Sequence, residues 1–557
     1  MALGFSIKVA GTMSELFLPY ILSYILDSVI VTMDIGKVIF YGVLMIICAG
    51  LACAGNIIAN RMAARVSKDF AGEMRKDLFR KTLYLSSRDT DHFTIPSLES
   101  RITSDTYNIH HFVGMMQRMG VRAPILLVGG LTISFMMDAS LALVMLAIFP
   151  FIFITVYSIS RKGVPLYSKV QKSVDRMVRV VREDTQGIRV IKALSKNDYE
   201  NRRYNEVNQT LSRDERRAGI IMGISNPIMT MLMNLGIAAV VAVSAFRVSA
   251  GTSSPTTVIA FMQYFTQISM AMMSISRMFV MYTKCAASAK RIEEVMETPD
   301  KFFVKPDPNN IPNEHIAFDK VNFSYFGKHN NLEDISLTLK RGGSLGVIGA
   351  TGSGKSTFVK LLLRFYEADS GEIRINGKNI TSYDRDELKA MFGVALQNDF
   401  LYADTIEENI RFGRELTHEQ VVKAAKIAQA HDFIEAIPAG YEHILAQKGT
   451  NLSGGQRQRI LIARAIAACP DILILDDSSS ALDYKTDANL RQALSTELSN
   501  STVITVAQRV SSVKNSDLII VLDHGRIIGK GTHEELLENC PEYREISDSQ
   551  MGGAFVE

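Results

Sequence analysis

The chain carries little net charge, a formal +3 over its 557 residues. That balance gives no reason to expect a nucleic-acid partner. Cysteine is scarce: Cys48, Cys53, Cys285, Cys469 and Cys540 are the five. They show no close metal-ligand spacing, and no disulfide framework can be drawn from them. Cys48 and Cys53 lie in an apolar run, which is expected to bury them as small side chains. Charge is missing altogether from Val38–Ala59, Ala139–Ser160, Gly219–Phe246 and Thr257–Ser276. Each reaches the roughly 20 apolar residues that cross a bilayer as a helix. These runs exclude a chain soluble throughout and explain a mean hydropathy of +0.10. The N-terminus does not read as a cleavable signal, so a retained first span is expected.

Two weaker apolar segments complete a set of six. Leu16–Met33 contains Asp27, and Met119–Met137 contains Arg122. The spans are placed at about 11–33, 37–60, 113–137, 139–161, 219–246 and 256–280. Short connections alternate with two long charged ones, Asn60–Arg118 and Arg161–Ala218. Arg61, Arg65, Lys68, Arg161, Lys162, Arg213, Arg216 and Arg217 flank the spans on that side. The positive-inside bias therefore puts the long connections, the N-terminus and the C-terminal half in the cytoplasm. The long connections read as helices running out of the bilayer, with transverse turns near Arg88–Glu99 and Lys192–Arg202. Pro124, Pro150 and Pro227 are expected to kink their helices. Methionines crowd the fifth and sixth spans, where they suit a shape-tolerant cavity or ordinary packing equally. Asp27 is expected to be a solvated carboxylate near the outer end.

Around Glu294–Glu314 the prolines Pro299, Pro306, Pro308 and Pro312 mark a boundary. The division is a membrane domain at 1–295, a linker at 296–314 and a second domain at 315–557. In the second domain a short apolar strand feeds Gly349-Ala350-Thr351-Gly352-Ser353-Gly354-Lys355-Ser356-Thr357. This is the phosphate-binding loop pattern. Its glycines let backbone N–H groups turn toward phosphate oxygens at a helix N-terminus. Lys355 can reach the terminal phosphates, Ser356 can ligate Mg²⁺, and Thr357 can add a phosphate contact. A second apolar strand, Ile472–Leu475, ends in Asp476 and Asp477. Asp476 is the expected partner of Ser356 in holding Mg²⁺.

With these motifs in place, the chain resembles the ATP-binding cassette (ABC) exporters, six spans fused ahead of one cassette. Its most specific motif is Leu452-Ser453-Gly454-Gly455-Gln456. Ser453 and the backbone of Gly454 and Gly455 begin a helix that can grip a phosphate. The resemblance implies that this phosphate belongs to ATP held mainly by a second cassette. It further implies that Tyr325 stacks on adenine and that Gln397 contacts Mg²⁺ and water. It implies that Asp483, in Ser480-Ala481-Leu482-Asp483, communicates between two ATP sites. The fold class implied is multidomain: six transmembrane helices with long cytoplasmic extensions, then an α/β nucleotide-binding domain. The cofactors implied are ATP and Mg²⁺.

Two positions depart from the family pattern. The catalytic glutamate is replaced by Asp477, and the switch histidine by Gln508. Aspartate retracts the carboxylate by about an ångström, and such a misplacement can cost roughly a hundredfold. Glutamine cannot acquire the imidazolium charge. This pattern is similar to the degenerate-site subunit of a bacterial heterodimeric multidrug exporter. It implies a second half-exporter chain with intact Glu and His positions, a bacterial cytoplasmic membrane, and an amphipathic small-molecule substrate. Lipid or peptide export, or a nontransporting ATP-gated regulator, are the alternatives. A further departure, Gln447 where relatives often have glutamate, has no assigned consequence.

Overall fold

A computed structural model describes residues 2–250, 254, 256–300, 302–307, 314–327, 329–397 and 399–551. Pro255, Pro308 and Pro312 lie outside the described residues. Contacts divide the chain into two compact units, Met1–Tyr84 with Thr94–Thr298, and Leu85–Phe93 with Pro299–Glu557.

The first unit is helical. Helix α1 is Ala2–Tyr24 and runs on through a π turn, Ile25–Val29, to Thr32. The others are α2 (Ile35–Leu83), α3 (Ser87–Phe93, which groups with the second unit), α4 (Ile95–Ser100) and α5 (Thr106–Met137). Then come α6 (Ala139–Gln186), α7 (Ile188–Ala193), α8 (Asn197–Gly223), α9 (Ser225–Ser249) and α10 (Thr257–Met296). Among the described residues, six helical stretches are long and apolar enough to cross a membrane. At 1.5 Å per residue a helix as long as α6 spans about 70 Å, against a hydrocarbon core of about 30 Å. The helices therefore continue well past bilayer length, as charged segments that water can solvate.

Local chemistry sets the breaks. Asp138 caps α6, accepting from Ser140 N–H at 2.9 Å and Leu141 N–H at 3.3 Å, and Asp34 caps α2 in the same way. Pro124 and Pro150 lie inside helices, joined by Pro19 and Pro165. Pro227 sits in the first turn of α9, one turn past Ile224, where the otherwise continuous helical stretch Asn197–Ser249 is interrupted. The second transverse turn also falls earlier than expected. It is the short helix α7, entered at Gly187 and left through Ser195 in the left-handed region. Two further expectations are corrected. Cys53 is exposed and Cys48 half-buried, because that face of α2 has no neighbour among the described residues to cover it. Asp27 is held by the Ser254 and Thr256 hydroxyls rather than simply hydrated.

The core of this unit joins α6, α9 and α10 through Leu141, Met145, Phe149, Met229, Phe261 and Phe265. Met233, Met272 and Met273 pack against it. Met231 is exposed and lines an open cavity of about 720 Å³ with Pro227, Thr230, Asn234 and Leu235. The methionines thus divide between packing and a cavity wall.

Among its described residues the second unit holds two sheets. Strands β1 (Ile316–Phe323), β2 (Leu332–Leu339), β4 (Ser370–Ile375) and β5 (Lys378–Asn379) form an antiparallel sheet in the order β2-β1-β4-β5. Strands β3 (Ser344–Ile348), β6 (Phe392–Ala395), β7 (Ile472–Asp476), β8 (Thr502–Val506), β9 (Leu518–Asp523) and β10 (Arg526–Gly531) form the other, in the order β10-β9-β3-β8-β7-β6. It is parallel except at β9–β10. β3 and β7 are buried almost end to end, as a parallel sheet covered on both faces requires. Helix α11 (Lys355–Leu362) packs between the sheets, with Phe358 stacked on Phe318 at 4.4 Å. Part of the expected linker, 302–307, is a strap pinned to this unit. Lys305 N–H donates to Thr381 O at 2.8 Å, and the Phe302 ring lies 3.9 Å from the Arg364 guanidinium.

Candidate nucleotide site

Register explains why distant residues converge. Val347 of β3 and Asp476 of β7 both pair with Val506 of β8, and Ala395 of β6 pairs with Leu475. Four neighbouring parallel strands therefore end level. Just beyond their ends stand the phosphate loop, Gln397, Asp477 and Gln508. In open α/β sheets, ligands bind outside such carboxyl ends.

A cavity of about 100 Å³ opens there, lined by Thr351, Gly352, Lys355, Ser356, Gln397, Asp476, Asp477 and Gln508, together with Val506 and Ala507. A Cβ on Gly349 would lie 2.1 Å from the Leu522 carbonyl oxygen, so only glycine lets the loop leave β3 at this point. Gly354 adopts φ +108°, which favours glycine and turns the chain into α11. Ser353 is buried, and its hydroxyl has no hydrogen-bond partner among the described residues. Lys355 Nζ donates to the Gly349 and Ala350 carbonyls, both at 2.8 Å. Burial holds its pKa below the usual lysine value, opposed by Asp477 and Asp476. A cation folded back on its own loop, with carboxylates behind it, is ready to exchange carbonyls for phosphate oxygens.

Asp476 is buried at the end of β7, and burial followed by the Asp477 charge raises its pKa. The Ser356 hydroxyl hydrogen-bonds it. A hydroxyl, a carboxylate and the nearby Gln397 amide fit Mg²⁺, which takes oxygen ligands and is bound through one or two carboxylates plus substrate phosphates. Among the described residues no trio of His, Cys, Asp or Glu makes a metal cage. A cation held here would share its shell with phosphate.

Asp477 adopts φ +49°, a conformation Asp tolerates better than most residues. Its Oδ2 accepts from Gln397 Nε2 at 3.2 Å and from Gln508 Nε2 at 3.4 Å. The two departures from the family pattern therefore touch each other. Burial raises the Asp477 pKa, while the Gln397 bond and the Lys355 charge oppose the rise.

The remaining sequence-selected residues stand elsewhere in the unit. Tyr325 is half-buried, packs edge-on to Phe323 at 4.8 Å, and points its hydroxyl at Thr357 Oγ1, 3.4 Å away. Ser453 caps helix α12 (Gly454–Ala467) in a reciprocal pair with Gln456. Asp483 caps α13 (Tyr484–Glu497) through Thr486. Ser453, Gly454 and Asp483 are exposed, and none of the Leu452–Gln456 run lines the cavity. Sequence reasoning missed Gln458. Its side chain donates to Asp477 O at 3.3 Å and accepts from Ala481 N–H at 3.0 Å, joining α12 to the segment after β7. Its place within Gln456-Arg457-Gln458 gave no signal of that bridge.

Residues 1–272 match the ABC transporter transmembrane region, and residues 332–480 match the ABC transporter cassette. The uncharacterized ABC transporter ATP-binding protein YfiB of Bacillus subtilis is 33% identical over 540 residues, which cover 97% of this chain and 94% of that protein. The chain belongs to the ABC transporters. An uncharacterized ABC transporter ATP-binding protein of Mycobacterium bovis is 32% identical and covers all of this ABC transporter chain, with 97% of its own length matched. In fold, the chain is similar to a bacterial Atm1-family ABC exporter solved with ATP bound. The TM-score is 0.83 at 23% identity, covering 99% and 97% of the two chains. The ABC transporter chain therefore has the architecture of an exporter half-transporter, six apolar helices followed by a mixed α/β nucleotide-binding domain. Such an ATPase domain implies ATP hydrolysis coupled to transport.

Proposed function

We propose that this chain is one subunit of an ATP-driven exporter of amphipathic, drug-like molecules, and that its own ATP site is degenerate. One observation carries the reading. The carboxylate at the base position, Asp477, is engaged by two amides, Gln397 and Gln508, neither of which can become cationic. A general base must reach the attacking water directly or through one water. A shortened carboxylate already occupied by two donors is poorly placed for that.

In this reading Lys355 and the phosphate-loop N–H groups hold the triphosphate, Thr357 adds a phosphate contact, and Tyr325 stacks on adenine. Ser356, Asp476 and Gln397 would hold Mg²⁺, which would supply positive charge to offset that of the phosphates. Ser453, Gly454, Gly455 and Gln456 complete the site of a second, different half-exporter. That partner supplies the glutamate and histidine. Asp483 links the two sites. The membrane domain is assigned to 1–295, the linker to 296–314 and the nucleotide-binding domain to 315–557, with the N-terminus and cassette cytoplasmic. Cassette closure moves the helical extensions and opens the cavity outward. Hydrolysis at the partner's site resets it.

The test is ATP turnover by the purified chain alone and with a candidate partner half-exporter. Changing the partner's catalytic glutamate removes most turnover, and Asp477→Asn lowers it by less than about threefold, well short of the roughly hundredfold a misplaced group can cost. Strong turnover by the chain alone, or equal γ-phosphate loss at both sites, overturns the reading.

A further inference from the structure

A second polar centre lies among the helices of the first unit. Lys8 of α1 is only 4% exposed, and its ammonium donates to Asn56 Oδ1 at 2.7 Å and Asn60 Oδ1 at 3.1 Å, both on α2. These acceptors are neutral, so they satisfy donors without balancing the charge. Two turns further along α1, Glu15 accepts from Arg122 Nη2 of α5 at 2.6 Å. The other Glu15 carboxylate oxygen and Arg122 Nε are buried without a hydrogen-bond partner. Arg118 is exposed one turn from Arg122, on the same face of α5, with its Nε on the carbonyl of Gly114 at 3.0 Å. The charges that act on Lys8 are Arg122, Glu15 and Arg118. Three cations thus gather around one carboxylate, which can balance only one of them.

Depth gives the centre a setting. At 1.5 Å per residue, Glu15 and Arg122 lie about 25 Å along their helices from the short connections, and Lys8 about 36 Å. A hydrocarbon core is about 30 Å thick. The cluster therefore sits at the bilayer boundary nearer the long helical extensions. Cations at that boundary reach the headgroup layer, where the anionic heads of amphiphiles lie. Met13, Phe17, Met116 and Met119 are exposed on the same two helices and supply apolar surface beside the charges.

We propose that Lys8, Arg118 and Arg122 form a headgroup site for an anionic amphiphile, a molecule with a phosphate or carboxylate head and an apolar tail. The unmatched cations and the orphaned Arg122 Nε call for acceptor oxygens, which a phosphate or carboxylate supplies in number. Glu15 orients Arg122 and at the same time competes with the ligand for it. The inference rests on the export reading only for the claim that the bound molecule is moved. Binding stands without it.

The probe is dodecyl phosphate, titrated into the full-length chain in neutral maltoside micelles, beside dodecylphosphocholine and inorganic phosphate. Dodecyl phosphate is expected to bind at least about tenfold tighter than either, since a charge-assisted hydrogen bond alone accounts for a factor of that order. Lys8→Met and Arg122→Met each weaken it by about ten- to a hundredfold. Arg118→Gln, an exposed change that leaves the packing alone, weakens it several-fold. Glu15→Gln tightens it, because the competing carboxylate is gone. A merely structural pin between α1 and α5 predicts no tightening. Equal binding of the two dodecyl probes, unchanged affinity in Arg118→Gln, or no tightening in Glu15→Gln each overturns the site. Two arms separate the sources of such a head. Enrichment of phosphatidylglycerol over phosphatidylcholine on the protein from mixed vesicles identifies a bilayer lipid. ATP-dependent accumulation of dodecyl phosphate in inside-out vesicles, with the partner present, identifies a transported molecule. Binding retained without accumulation under any condition sinks export and leaves the headgroup site intact.

Discussion

The phosphate-loop cleft and the Lys8–Arg122 cluster are both charged centres, but they are assembled by opposite routes. The cleft is written in contiguous motifs. Glycine-rich turn, lysine and hydroxyls follow one strand, and the aspartates close another, so a run of neighbours carries most of the chemistry. The cluster takes two residues each from α1, α2 and α5, separated by as many as 107 positions along the chain between bonded partners. No local pattern marks them. In the cleft the cation Lys355 has carboxylates behind it and waits for an anion that its own loop is shaped to receive. In the cluster the cations outnumber the carboxylate, and the shape is set only by helix packing. A motif advertises a ligand, whereas a charge imbalance in an apolar setting has to be counted.

Experiments can break this contrast. The largest effect is expected for Lys355→Ala. Removing a charged donor from the phosphates should lower affinity for a nonhydrolysable ATP analogue by about a hundredfold or more. Dodecyl phosphate binding should be unmoved, and a parallel loss in both would show that the two centres are not independent. Next in size is the double change Asp477→Glu with Gln508→His. In the assembled complex it should raise hydrolysis at this site by roughly tenfold or more, since it restores reach and a titratable partner together. Single-turnover γ-phosphate release from this site measures it. No gain would mean that the left-handed backbone at Asp477, rather than side-chain length, limits the chemistry.

A smaller effect sharpens the point about charge. Burial and the neighbouring Asp477 raise the Asp476 pKa above its ordinary value of 3.8. A raised carboxylate pKa means that the folded state prefers the protonated form. Its favourable contribution is complete below the ordinary value and is lost as pH rises through the raised one. At neutral pH Asp476 therefore destabilises the nucleotide-free cassette. Asp476→Asn should raise the thermal midpoint without nucleotide by a few degrees, and abolish the extra stabilisation that Mg²⁺ adds to ATP. A lowered midpoint would show that the Ser356 bond outweighs burial.

Several features were legible in the chain alone. Four uncharged runs and two apolar segments with one charge each announced the six long apolar helices, because a bilayer demands length and little charge. Asp34 and Asp138 fall between the placed spans and prove to be caps. Other features were not legible. The boundary of α7 depends on Ser195 taking a left-handed conformation, which its residue type does not announce. Cys53 reads as buried because apolar runs bury side chains in soluble proteins, whereas a membrane helix keeps its apolar surface on the outside. Gln458 lies in a polar stretch, and only folding brings its amide between Asp477 and Ala481.

By itself the sequence determined which elements form and which motifs adjoin them. Hydrophobic period, charge-free length and turn chemistry act within a few residues and need no partner across the chain. Tertiary structure alone decided which separated groups meet. It levelled four strand ends so that Gln397 and Gln508 share one carboxylate oxygen of Asp477, and it packed α1 on α2 and α5 so that Arg122 meets Glu15 and Lys8 meets two asparagines. Hydrogen bonds and desolvated charges act over a few ångströms, and that proximity comes from packing rather than from order along the chain.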